Sequence, residues 1–261
     1  MSEVLRFELE GGIARLTLDR PKAANSIDLE LGRALASTAI RCDEDPDVRV
    51  VVIAAEGRFF CAGGDLASFG SVGDRVPALL KELTMSLHAA LSRLARGRAP
   101  VIAAVQGPAA GAGMSLACAA DFVVASEDAS FTMAYTRAGL TPDGSSTWVL
   151  PRLIGTRRTL ELMLRNRTLT AAEALDWGLV SQVVPTAELS GAVDALARDL
   201  ASGPTEAFGL TKRLLLLSST EGFESQMEHE ARAIADAART TDGKEGISAF
   251  LEKRKPHFGG S

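Results

Sequence analysis

Residues 100–121 read PVIAAVQGPAAGAGMSLACAAD. Val101 to Val105 is apolar and β-branched, which predicts a buried strand. Glycines 107, 111 and 113 then mark a turn. Met114 to Ala120 is a run of mostly small residues that predicts a packed helix. A strand that breaks at glycines and restarts as a helix aims unpaired backbone N–H groups at whatever lies above the turn. Such a turn can bind a phosphate. It can hold the oxyanion of a thioester enolate. It can also do no more than let a helix pack close to a sheet. The stretch alone leaves all three open.

The flanking sequence sets the fold class. Val4 to Leu9 and Ile13 to Leu18 alternate around Gly11-Gly12, which predicts a β-hairpin. Ser26 or Asp28 caps a helix running to about Cys42. Val48 to Ala55 reads as a buried strand, and Arg58 to Phe69 as a loop holding a second glycine cluster. Val76 to Arg96 is a long amphipathic helix carrying His88. Phe122 to Ala125 is a further strand, and Tyr135 to Ser146 a loop. Helices are predicted at 147–153, 156–164 and 171–177, then a strand at Val180 to Val184. From Thr186 to Lys253 the pattern is almost wholly helical. Strands alternating with helices, then helices alone, predict an α/β core over 1–195 and a helical region over 196–261.

Composition narrows the function. A chain of 261 residues with 46% hydrophobic content suits one α/β unit with a helical appendage. A net charge of −5 gives no reason to expect nucleic acid as a partner. No apolar run is long enough to span a bilayer, and the opening MSEVLRFELEGG lacks a signal-peptide pattern. Cys42, Cys61 and Cys118 are spaced neither for a metal nor for a disulfide framework. No metal is expected, and a cytoplasmic location is. Trp148 and Trp177 read as packing residues, and Glu221, Glu224, Glu228 and Glu230 as a solvated helix face.

Six segments together resemble the crotonase (enoyl-CoA hydratase/isomerase) superfamily. They are DRPKAANSI (19–27), RFFCAGGDL (58–66), the opening stretch, AGLTPDGSSTWVLPRLIG (138–155), ALDWGLVSQVV (174–184) and AFLEKRKPHF (249–258). They match in order and with the expected gaps over nearly the whole chain. The resemblance implies a ββα spiral core, a C-terminal helical trimerisation region, and a homotrimer or dimer of trimers. It implies an acyl-CoA thioester substrate and no tightly bound cofactor beyond the CoA that the substrate carries. By motif position it places two backbone oxyanion donors on Ala62 and Ala112. It also lays CoA along Lys22, Ala24, Asp65 and Leu66, with Phe250 and Lys253 supplied by a neighbouring subunit.

Departures from the family pattern bear on the reaction. A hydratase of this family uses two glutamates; the corresponding positions here are Ser115 and Tyr135. Neither supplies a carboxylate. Asp143, in TPDGSS, remains as the acidic side chain bordering the implied acyl pocket. Within the resemblance, an aspartate there serves enoyl-CoA isomerases as a proton shuttle. In 4-chlorobenzoyl-CoA dehalogenase it is a nucleophile, with a histidine at the position of His88 activating water. Residues 157–185 look notably like that dehalogenase, but its tryptophan beside the aspartate is Tyr135 here. The favoured expectation is an isomerase with Asp143 as acid/base. The alternatives are dehalogenase-like hydrolysis with His88 as base, and a catalytically silent CoA-binding member.

Overall fold

The computed structural model describes residues 4–261. The expectation that no targeting segment opens the chain rests partly on residues 1–3, which lie outside the described residues. In chain order come β1 (Leu5–Glu10), β2 (Ile13–Leu18), α1 (Leu29–Glu44), β3 (Val50–Ala55), α2 (Leu66–Gly70) and α3 (Val76–Arg96). Next are β4 (Val101–Val105), β5 (Ala109–Ala110), α4 (Ala112–Cys118), β6 (Phe122–Ser126), β7 (Ser130–Thr132) and α5 (Ser146–Arg165). Then follow β8 (Thr168–Thr170), α6 (Ala171–Asp176), β9 (Gln182–Val184), α7 (Leu189–Ala201), α8 (Thr205–Leu217), α9 (Phe223–Arg239) and α10 (Thr241–Leu251).

The predicted hairpin forms, with Glu10 opposite Ile13. Gly11 and Gly12 both take positive φ (57° and 81°), as a two-residue type I′ turn requires. The main sheet has the order β1-β2-β3-β4-β6-β9, and every pair after the hairpin is parallel. Both faces are covered, which is why β3 and β4 read as continuous apolar runs. Val51, Ile53, Ala103 and Val105 face the main core, where Leu31 and Leu35 of α1 and Leu87 and Leu91 of α3 are buried. Val50, Val52, Ile102 and Val124 face the other way, onto Leu189, Val193, Ala197 and Ala201 of α7. Asp28, not Ser26, caps α1 by accepting from the Leu31 N–H at 2.9 Å.

The structure differs from the sequence reading at four points. The division at 195/196 falls inside α7, whose Val193 and Ala197 are both buried on the sheet. The core therefore runs through Ala201, and the helical region consists of α8, α9 and α10, with α9 packed on both others. A second sheet, β5-β7-β8, was not anticipated, because strands of two or three residues carry no readable alternation. Trp148 is not packed in the core: it is 38% exposed, and the Arg152 guanidinium lies 3.9 Å from its ring centre. Trp177 does pack against the main core, with Arg158 and Arg167 over its ring. The predicted break between helices 147–153 and 156–164 is a kink inside α5, where Gly155 takes φ 78°. No helix among the described residues is long and apolar enough to cross a membrane.

Candidate active site

Two glycine-rich loops lie backbone on backbone. The Phe60 and Cys61 N–H groups donate to the Pro108 carbonyl at 3.1 and 3.3 Å, and the Ala110 N–H donates to the Cys61 carbonyl at 2.9 Å. A Cβ on Gly107 would overlap the Arg58 carbonyl, and one on Gly113 would stand 2.6 Å from Cys61 Cβ. A Cβ on Gly63, which has φ +101°, would stand 2.9 Å from the Ala110 carbonyl oxygen. The glycines of the 107–113 turn thus let the 58–64 loop approach it. Gly113→Ala is expected to cost about 1–3 kcal/mol by overpacking, a fall of about 3–10 °C in Tm. Thermal unfolding checks this, and an unchanged Tm would mean the loops part freely.

The contact fixes which N–H groups stay free. Ala62, expected as an oxyanion donor, spends its N–H on the Ala24 carbonyl at 3.0 Å. Ala62 therefore has no N–H left for an oxyanion, and Gly64, two residues on, is the candidate in its place. Among the described residues the Gly64 N–H has no acceptor, and Gly64 lines the pocket. Its neighbours are held instead, by the Ile27 N–H donating to the Gly63 carbonyl and the Asp65 N–H to the Ile27 carbonyl. Ala112 is the first residue of α4, so its N–H has no partner within the helix; it too lines the pocket. The second glycine of the CAGGDL cluster was the available signal for Gly64. Cys61 is buried, which pushes its thiol up to about 12, so it stays neutral.

A cavity of about 240 Å³ opens beside these two N–H groups. Leu80, Leu83, Thr84 and Leu87 of α3 line it together with Ile27, Leu66, Phe69 and Leu140. Asp143 is the charged side chain in that lining. The Tyr135 phenol donates to Asp143 Oδ1. Burial, reinforced by the Asp143 carboxylate, pushes the Tyr135 hydroxyl above its ordinary range, so it keeps its proton and remains a donor. Ser115 Oγ is 3.1 Å from the Tyr135 hydroxyl. The Tyr135 proton is given to the carboxylate, so the single Ser115 proton is shared between the Tyr135 oxygen and the Asp143 carbonyl, each 3.1 Å away. The residues at the two hydratase glutamate positions are therefore joined to each other and to Asp143.

The loop carrying Asp143 is held on several sides. Its carbonyl accepts from Ser115 Oγ at 3.1 Å and from Ser146 Oγ at 2.7 Å. His88 is absent from the pocket lining; its Nε2 accepts the Gly144 N–H at 3.1 Å.

The expected CoA residues divide into two groups. The segment of Lys22 and Ala24 adjoins that of Asp65 and Leu66: Ala24 bonds Ala62, and Leu66, the first residue of α2, lines the cavity while remaining 57% exposed. Lys22 is exposed. The Asp65 carboxylate is already committed, capping α2 through the Ser68 N–H and pairing with Arg20 at 3.0 Å. Phe250 and Lys253, in α10 and just beyond it, are not part of the lining; Phe250 is 82% exposed.

A spiral α/β core with two free N–H groups over an apolar, single-carboxylate pocket defines a crotonase-fold protein. The family model described as enoyl-CoA hydratase/isomerase matches residues 8–261, and the chain belongs to that family. It is 39% identical to 1,2-epoxyphenylacetyl-CoA isomerase of Escherichia coli K12, with both chains fully covered. It is 33% identical to 4-chlorobenzoyl coenzyme A dehalogenase-2 of Arthrobacter sp., over 95% of this chain and 91% of that one. The crystal structure of an enoyl-CoA hydratase from Polaromonas sp. JS666 superposes with a TM-score of 0.92 at 33% identity, covering 97% of this chain and 99% of that one. The protein is thus an acyl-CoA enzyme of hydratase/isomerase type, and its family acts on CoA thioesters without a tightly bound cofactor.

Proposed function

We propose that this enzyme is an enoyl-CoA isomerase that shifts a double bond from the 3- to the 2-position. The observation that carries the reading is that Asp143 is the one charged side chain lining the acyl pocket among the described residues. Ser115 and Tyr135, at the hydratase glutamate positions, offer hydroxyls instead. Asp143 takes a proton from C2. The C2–H electron pair moves toward the carbonyl, and the charge on the thioester oxygen is met by the Gly64 and Ala112 N–H groups. Asp143 then returns the proton at C4, leaving a 2,3-double bond. No water enters the balance, so one carboxylate suffices. The similarity to 1,2-epoxyphenylacetyl-CoA isomerase fits this assignment, since that name too describes an isomerisation of a CoA thioester.

In the same reading Lys22, Ala24, Asp65 and Leu66 border the CoA, and Phe250 and Lys253 reach it from a neighbouring subunit of a homotrimer or dimer of trimers. The exposed apolar side chains of α8 to α10, among them Leu215, Phe223, Ile234 and Phe250, support such an assembly. The location proposed is the cytoplasm.

Three substrates test the reaction. The enzyme is offered a 3-enoyl-CoA, a 2-enoyl-CoA and a 4-halobenzoyl-CoA. Isomerisation of the first is expected, with little water addition to the second and no halide from the third. Brisk hydration would overturn the use made of Ser115 and Tyr135. Halide release would make Asp143 a nucleophile, and CoA binding with no turnover would leave a silent member.

A further inference from the structure

Gly144 is buried and takes φ +59°. It sits between two helices. A Cβ placed on it would stand 2.8 Å from Ser115 Cβ of α4 and 3.6 Å from Leu91 Cδ1 of α3. Its N–H belongs to the peptide that follows Asp143, and His88 Nε2 accepts it at 3.1 Å. Among the described residues this N–H has no other acceptor. A buried donor stripped of its partner is costly, so the ring holds the N–H side of this peptide, while Ser115 and Ser146 hold its carbonyl. To accept at Nε2 the imidazole must be neutral and carry its hydrogen on Nδ1. The Nε2 lone pair is then occupied and cannot also take a proton from water.

We infer that His88 is a positioning residue: it tethers the Asp143–Gly144 peptide to α3 and thereby sets the Asp143 carboxylate against the acyl pocket. The same helix supplies Leu80, Leu83, Thr84 and Leu87 to the pocket wall, so one rigid element fixes both acyl group and carboxylate. This departs from the role of water-activating base that the dehalogenase resemblance implies. Its kinetic consequence rests on the isomerase reading; the tether itself does not.

The test compares His88→Ala and His88→Gln with wild type. His88 is exposed on α3, and both replacements are good helix formers, so the fold should survive. Glutamine brings an amide oxygen that can accept the N–H but cannot take up a proton. Hydrogen–deuterium exchange is followed on the peptide spanning 140–147. Exchange at Gly144 should be fast in His88→Ala and slow in wild type and His88→Gln. With a 3-enoyl-CoA, His88→Ala should lower kcat about 10- to 100-fold, with KM nearly unchanged, and His88→Gln should restore most of it. Equal exchange in all three proteins overturns the tether. Slow exchange in an inactive His88→Gln enzyme overturns the positioning role, because the tether would be intact and His88 would then be moving a proton. If wild type leaves every enoyl-CoA untouched, the isomerase reading falls, and the exchange experiment still decides the tether.

Discussion

Asp143→Asn is expected to lower kcat for 3-enoyl-CoA isomerisation by about three orders of magnitude, within the range typical of a general acid–base group. That is about 4 kcal/mol of barrier. The substitution is nearly isosteric. Asn Oδ1 still accepts from the Tyr135 phenol, and the carbonyl at 143 still accepts from Ser115 and Ser146. The loop therefore keeps its shape and the apolar lining is untouched, so KM should change by less than about threefold. What disappears is the ability to take a proton at C2 and give it back at C4. Steady-state kinetics with matched circular dichroism decides the point. A variant retaining a tenth or more of wild-type kcat would show that another group moves the proton. A large rise in KM with kcat preserved would show that Asp143 binds substrate and does not react.

The fold was legible where burial repeats with a clear period. β3 and β4 are unbroken apolar runs because both faces of the sheet are covered. α3 shows its amphipathic period from Val76 to Arg96, the limits the sequence predicts. The small β5-β7-β8 sheet was not legible, because its strands are held by loop-to-loop pairing that leaves no period. The site divides along similar lines. Asp143, Tyr135 and Ser115 stood out by residue type at motif positions, and they do meet. The free N–H of Gly64 did not, because a free backbone N–H carries no side-chain signal. Ala62 and Gly64 differ in what their amides bond, and only the approach of Ala24 reveals that the first is spent. Nor did residue type show what the Asp65 carboxylate does in the fold, where it caps α2 and pairs with Arg20. His88 showed its type but not its partner, a backbone group 56 residues away.

Ala112→Pro tests the second half of the mechanism without touching any reacting side chain. Proline at the first position of a helix removes an N–H that has no helical partner, and its fixed φ suits that position. Ala112 occupies this position in α4, and the residue before it is Gly111, at φ 50° and ψ −124°. Glycine tolerates the restriction that a following proline imposes, so the turn should survive. The enolate oxygen would then have the Gly64 N–H alone, with the proline ring where the second donor was. Loss of one such donor is worth about 100- to 1,000-fold in kcat. Ala112→Gly is the matched control: it keeps the N–H and removes only a methyl group, so kcat should stay within about fivefold despite the weaker helix propensity. Equal kcat in the proline variant and wild type would remove Ala112 from the oxyanion site. A comparable fall in both variants would trace the loss to the shape of the turn and not to its hydrogen bond. Loss confined to the proline variant, with both proteins folded, would place the developing negative charge at the start of α4.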